Sequence, residues 1–224
     1  MPVAFLDLAH QCAPRIATET LAAVISIESG FHPFAIRINS DHPLADQPRT
    51  RAEAIETATL LIAEGHDVDL GLAGINSSNL GRLGLSVSDA FDFCLNLKAS
   101  ASLLDGYYRA ALQTGATQAQ AETVMLRSYY GHGDALVGEM VGYDSQVLAK
   151  RDRLAERLAT IEIVEENPTE PPALVRAEEP VAASTTGTVS EQTPQRPQVS
   201  IPQWDVFKSG RRSSALVFSN EQKE

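Results

Sequence analysis

Residues 21–33 read LAAVISIESGFHP, a run whose first half favours a helix and whose second half forbids one. Helical spacing puts Ala17, Leu21 and Val24 on one apolar stripe, and the next step along it is Glu28. An ionised acid buried without a partner costs several kcal/mol, or else its pKa rises. Glu28 therefore either sits exposed on a fraying last turn or is held there for a purpose. Its neighbours favour the second reading. Ser29 offers a hydroxyl, Gly30 can take the left-handed conformation that ends a helix, and Pro33 stops the helix resuming. The expectation is a helix over Arg15 to Ser29 that carries an acid to the mouth of a loop.

Moving outward, residues 30–48 read as that loop, with Phe31, His32, Phe34, Asn39 and His42. His32 and His42 with Asp41 or Asp46 match no metal-ligand spacing, so no metal is expected. A second helix starts at Thr50, with Glu53 three residues on as a capping box; Ile55, Ala58, Leu61 and Ile62 lie on one face, and Gly65 ends it. HDVDLGLAGINSSNLGRLG (66–84) is short, alternating and glycine-rich, which predicts a small hairpin or irregular insert. Ser88 is the expected cap of a short turn through Phe91 and Cys94. A helix from Asn96 to Gln113 follows, with Leu97, Ala101, Leu104, Tyr108, Ala111 and Leu112 inward. Thr117 and Gln120 form another capping box, and SYYGHGD (128–134) breaks the helix they open. A last helix spans Ala135 to Ile163 with a break near Gly142.

The fold class is thus mainly α with a small β or irregular insert, over residues 1–163. Residues 164–200, punctuated by prolines among Glu, Thr, Ser and Gln, read as a disordered linker. Residues 201–224 recover Trp204 and Phe207 and read either as a partner-binding tail or as a strand returning to the domain. The net charge of -11 argues against nucleic acid as a ligand, since phosphate backbones need a basic face. No run approaches a membrane span, and MPVAFLDLAHQCAP lacks the basic start of an export signal. Cys12 and Cys94 read either as a disulfide or as two buried thiols. Several aspartates are available as a second acid, and spacing singles out none of them.

IESGFHP, then GLAGIN, then Asn96-Leu97 opening a helix, then SYYGHG form an ordered series. That series resembles the lytic transglycosylase domain of the lysozyme-like superfamily, and more closely the peptidoglycan-cleaving subunit of type IV secretion systems. The likeness extends over about residues 5–150, including the segments around Cys12 and Cys94. It implies an α+β lysozyme-like fold, Glu28 as the catalytic acid and Ser29 as the neighbour that holds acid or substrate. Gly71, Leu72, Ile75 and Asn76 match the loop that lines the sugar cleft, while Tyr129 and Tyr130 match the family's Ala-Tyr-Asn motif. Gly74 stands where the family commonly has glutamine, and Tyr130 where it has asparagine.

The resemblance also implies that one acid suffices. Cleavage between N-acetylmuramic acid and N-acetylglucosamine without water leaves a 1,6-anhydro end, and Glu28 would serve both proton transfers with substrate assistance. No cofactor is implied. The implied partners are peptidoglycan and secretion-system components, the latter through residues 201–224, and the implied compartment is the periplasm, where Cys12 and Cys94 would be paired. A hydrolytic muramidase, or a binding and assembly protein that keeps the fold without turnover, are the rival readings.

Overall fold

The computed structural model describes residues 2–39 and 43–164. The linker and tail expected over 164–200 and 201–224 lie outside the described residues but for Val164, as does His42.

The organising element is helix α2 (Thr18–Glu28), preceded by strand β1 (Val3–Ala4) and helix α1 (Phe5–Cys12). Residues 20–25 of α2 are buried without interruption, which marks a helix enclosed on every side rather than one with a single apolar stripe. The expected stripe is corrected at its start, because Ala17 is the exposed N-cap and the helix begins at Thr18, not Arg15. Two packed clusters meet across α2: Ala23 and Val24 belong to one, and Leu21, Ala22 and Ile25 to the other. Sequence reading missed α1. Phe5, Leu8, Ala9 and Cys12 follow helical spacing and are buried, while Asp7 points to solvent.

The first cluster packs against a three-stranded antiparallel sheet of β2 (Ile36–Ile38), β3 (Val68–Leu70) and β4 (Ile75–Asn76), in the order β2-β3-β4. The hairpin expected in 66–84 is β3 and β4. Its partner β2 comes from the stretch expected to be loop. The register sets both Arg37 and Asn76 opposite Asp69. Helix α3 (Arg51–Ala63) lies between β2 and β3 in sequence and is capped by Thr50, whose Oγ1 accepts from Glu53 N at 3.2 Å. The box stays half closed, because the Glu53 carboxylate accepts from Arg49 N instead.

After β4 come a short helix α4 (Leu80–Leu83) and then α5 (Phe93–Gln113). Ser88 stands at the N-cap of a short 3₁₀ turn over Asp89–Phe91 without a side-chain bond to it, and Asp92 caps α5, its carboxylate accepting from Leu95 N at 2.9 Å, so α5 starts three residues before Asn96. Leu112 is exposed rather than inward. The capping box opening α6 (Gln118–Tyr130) is complete. The single helix expected to reach Ile163 is instead α7 (Ala135–Met140), α8 (Tyr143–Leu154), a 3₁₀ turn and β5 (Glu162–Ile163). Gly142 makes the break at φ 63°, a conformation that favours glycine. Strand β5 pairs with β1, so the two ends of the domain close on each other. A Cys12–Cys94 disulfide ties α1 to α5. Among the described residues no helix is long and apolar enough to cross a membrane.

Candidate active site

Glu28 is the last residue of α2, and its side chain is almost wholly buried, 2% exposed. Ser29 follows as C-cap, then Gly30 (φ 60°) and Phe31 (φ 69°) turn the chain away in the left-handed region. Tyr143, first residue of α8, donates its phenol to Glu28 Oε1 at 2.5 Å. Arg37 from β2 brings Nη2 to 2.7 Å from Glu28 Oε2, at an angle that leaves Oε2 without a hydrogen-bond donor among the described residues.

Burial is the largest influence on Glu28 and pushes its carboxyl above the ordinary value; Asp69 adds to this, while Arg37 and the Tyr143 hydrogen bond oppose it without cancelling it. Burial also raises the phenols of Tyr143 and Tyr129, so both remain donors.

The second acid at the site is Asp69, which the sequence offered among several without distinction. Its side chain is 1% exposed, and its oxygens are fully engaged. Oδ2 receives Nη2 and Nε of Arg37 at 2.8 and 3.1 Å, and Oδ1 receives Asn76 Nδ2 at 2.8 Å. His132 Nε2 stands 3.5 Å from Oδ1. Burial alone would raise the Asp69 carboxyl, but His132, Arg37 and Asn76 together outweigh it and hold it low. The same contact raises the His132 imidazole. Asp69 is therefore a fixed anion, not a proton carrier.

The segment Gly71–Gly74 forms the wall beside Glu28 as a tight turn, with Gly74 N donating to Gly71 O at 3.1 Å. Three side chains hold it. Ser29 Oγ donates to Leu72 O at 2.6 Å, Tyr129 OH donates to Ala73 O at 2.7 Å, and Asn96 Oδ1 accepts from Ala73 N at 2.9 Å. Asn96 also donates to Leu70 O and Ala90 O. The two outer glycines are required by close approach. A Cβ on Gly71 would lie 2.3 Å from Ala90 O, and one on Gly74 would lie 2.9 Å from Glu28 Oε2; both have positive φ.

Of the residues singled out from sequence, the structure brings Glu28, Ser29, Gly71 and Gly74 to one cleft of about 240 Å³, which Arg37 and Asp69 also line. The Leu72 and Ile75 side chains are buried in the core and support the wall from behind. Asn76 bonds Asp67 and Asp69, and its Oδ1 accepts from Ser78 N. Tyr129 is buried behind the turn, and the Tyr130 ring packs 5.1 Å from that of Tyr143. A larger cavity of about 590 Å³ beside Arg15, Asp105 and Glu122 contains none of these residues. Sequence reasoning missed Arg37, His132 and Tyr143. The one local signal is a cation between two isoleucines in Ile36-Arg37-Ile38, a strand-like alternation.

A single buried acid with raised proton affinity thus stands beside a clamped glycine turn, with a phenol aimed at it. The transglycosylase SLT domain matches residues 7–144, from α1 to the second residue of α8, and the chain belongs to that family. Within it, the chain is 36% identical over 171 residues to the type IV secretion system protein virB1 of Brucella suis biovar 1 (strain 1330), covering 74% of this chain and 71% of that protein. It is 32% identical over 157 residues to the protein virB1 of Agrobacterium fabrum (strain C58 / ATCC 33970), covering 69% of this chain and 62% of that one. No solved structure matches the chain.

Proposed function

We propose that this chain is a peptidoglycan lytic transglycosylase that opens the cell wall locally for a type IV secretion apparatus. The observation that carries the chemistry is Glu28, a single buried carboxyl with raised proton affinity beside a cleft whose other acid, Asp69, is locked in ion pairs. Such a site has one proton carrier. Glu28 gives its proton to the glycosidic oxygen as the bond from that oxygen to C1 of N-acetylmuramic acid breaks. The substrate's N-acetyl group supports the cationic C1. The C6 hydroxyl then attacks C1, and its proton passes to the Glu28 carboxylate, which restores the acid and leaves a 1,6-anhydro end. Tyr143 keeps the carboxyl oriented through Oε1.

The likeness to the virB1 relatives and the Cys12–Cys94 disulfide, a bond suited to an oxidising compartment such as the periplasm, support this setting. Ser29, Gly71, Leu72, Ile75, Asn76, Tyr129 and Tyr130 then shape the glycan subsite, several of them by holding its wall rather than by touching sugar. Digestion of purified sacculi followed by mass spectrometry of the muropeptides tests the reading. Anhydro-ended products from the wild type and their loss in Glu28→Gln are expected; products heavier by one water would identify a muramidase instead.

A further inference from the structure

Arg37 divides one guanidinium between two buried acids. Its Nη2 stands 2.7 Å from Glu28 Oε2 and 2.8 Å from Asp69 Oδ2, yet both of its hydrogen bonds go to Asp69. The register of β2 on β3 sets Arg37 across from Asp69, which takes both of these hydrogen bonds. Glu28 therefore feels the positive charge without receiving an aimed N–H. A fully hydrogen-bonded Arg37–Glu28 pair would hold the acid ionised and unable to donate. With no cation nearby, the carboxylate formed after donation would be stranded in a buried site.

We propose that Arg37 is a positioning residue that stabilises the Glu28 carboxylate between its two proton transfers, and that Asp69 limits its grip by claiming its donors. The two transfers rest on the function proposed above; the partition of Arg37 between the acids does not. The other titratable groups facing this pair are Tyr129 from α6, His132 after it, Tyr143 from α8, His32 on the cleft wall and, through Asn76, Asp67. Arg37 is 40% exposed, so solvent on the cleft side weakens its hold further.

The test is a carboxyl titration of the full chain by carbon NMR with labelled glutamate, Glu28 being assigned by its absence in Glu28→Gln. Arg37→Met should raise the Glu28 midpoint by about one pH unit or more, and Arg37→Lys should fall between it and wild type. Asp69→Asn should lower the midpoint by freeing Arg37 for Glu28, and this shift should shrink in the Arg37→Met background. An unmoved midpoint in both Arg37 variants, a rise in Asp69→Asn, or an equal Asp69→Asn shift with and without Arg37 overturns the proposal. If Arg37→Met does not fold, Arg37→Gln takes its place as the background in which the Asp69→Asn shift should shrink. The titration needs no turnover, so it separates this inference from the proposed activity, which the muropeptides read. If both hold, the alkaline limb of the rate profile moves with the midpoint.

Discussion

Tyr143 and Glu28 are separated by 115 residues in the chain and joined by a 2.5 Å hydrogen bond in which the phenol donates to Oε1. The bond orients the acid and opposes the upward push of burial. Tyr143→Phe should leave the fold intact, since the ring keeps its packing against Tyr130. Glycan cleavage should drop roughly ten- to hundredfold, the worth of one hydrogen bond to a charged group. The Glu28 midpoint should rise, which the same carboxyl titration reads.

Glu28→Gln should reduce anhydro-muropeptide release on the order of a thousandfold, the scale of a lost general acid and base. Its stability should carry an opposite signature. A carboxyl whose folded pKa is raised contributes stability below its unfolded value and loses it as pH rises through the folded value. The glutamine removes that loss. Thermal unfolding should show the variant melting above wild type at about pH 8, with the gap closing toward about pH 4.

At Gly74 any Cβ would press on Glu28 Oε2 from 2.9 Å, on a backbone at φ 62°. Gly74→Gln should therefore fail to add a useful sugar contact. The strained backbone should cost about 1–2 kcal/mol of stability in a denaturant titration. Displacement of the carboxylate should lower cleavage by about a hundredfold.

Asn96, 1% exposed, makes three hydrogen bonds that hold Leu70, Ala73 and Ala90 in place around the catalytic turn. Asn96→Leu keeps the branched shape and loses all three. A destabilisation of roughly 3 kcal/mol is expected from chemical unfolding, about one per bond.

The Cys12–Cys94 disulfide closes a loop across 82 residues. Replacing both cysteines with serine should lower stability by about 4.5 kcal/mol in the chain-entropy account, measured as a shifted denaturation midpoint under non-reducing conditions. Wild type treated with reductant should move to the same place.

Most of the helices were legible because their signals are local. Thr117 and Gln120 lie three apart, Gly142 takes a conformation that favours glycine, and Ile55, Ala58 and Leu61 recur at the helical period. Helix α1 escaped because eight residues with Asp7 among them carry too short a period to stand out. Strand β2 escaped because three residues inside a loop-like stretch become a strand only when β3 supplies the partner.

By itself the sequence determined that a helix carries Glu28 near its end, that glycines follow in a turn later in the chain, and that Tyr129 lies in the last turn of a helix. These are matters of neighbouring residues and short-range sterics. Only the tertiary structure decided that α2 is enclosed on all sides, that Asp69 is the acid drawn to Glu28, and that Arg37 stands between them. It also decided that Tyr143 supplies the hydrogen bond and that Tyr129 serves the wall from behind. Charge and burial act through space, and the groups that set the proton affinity of Glu28 come from three separate elements, so no spacing along the chain records them.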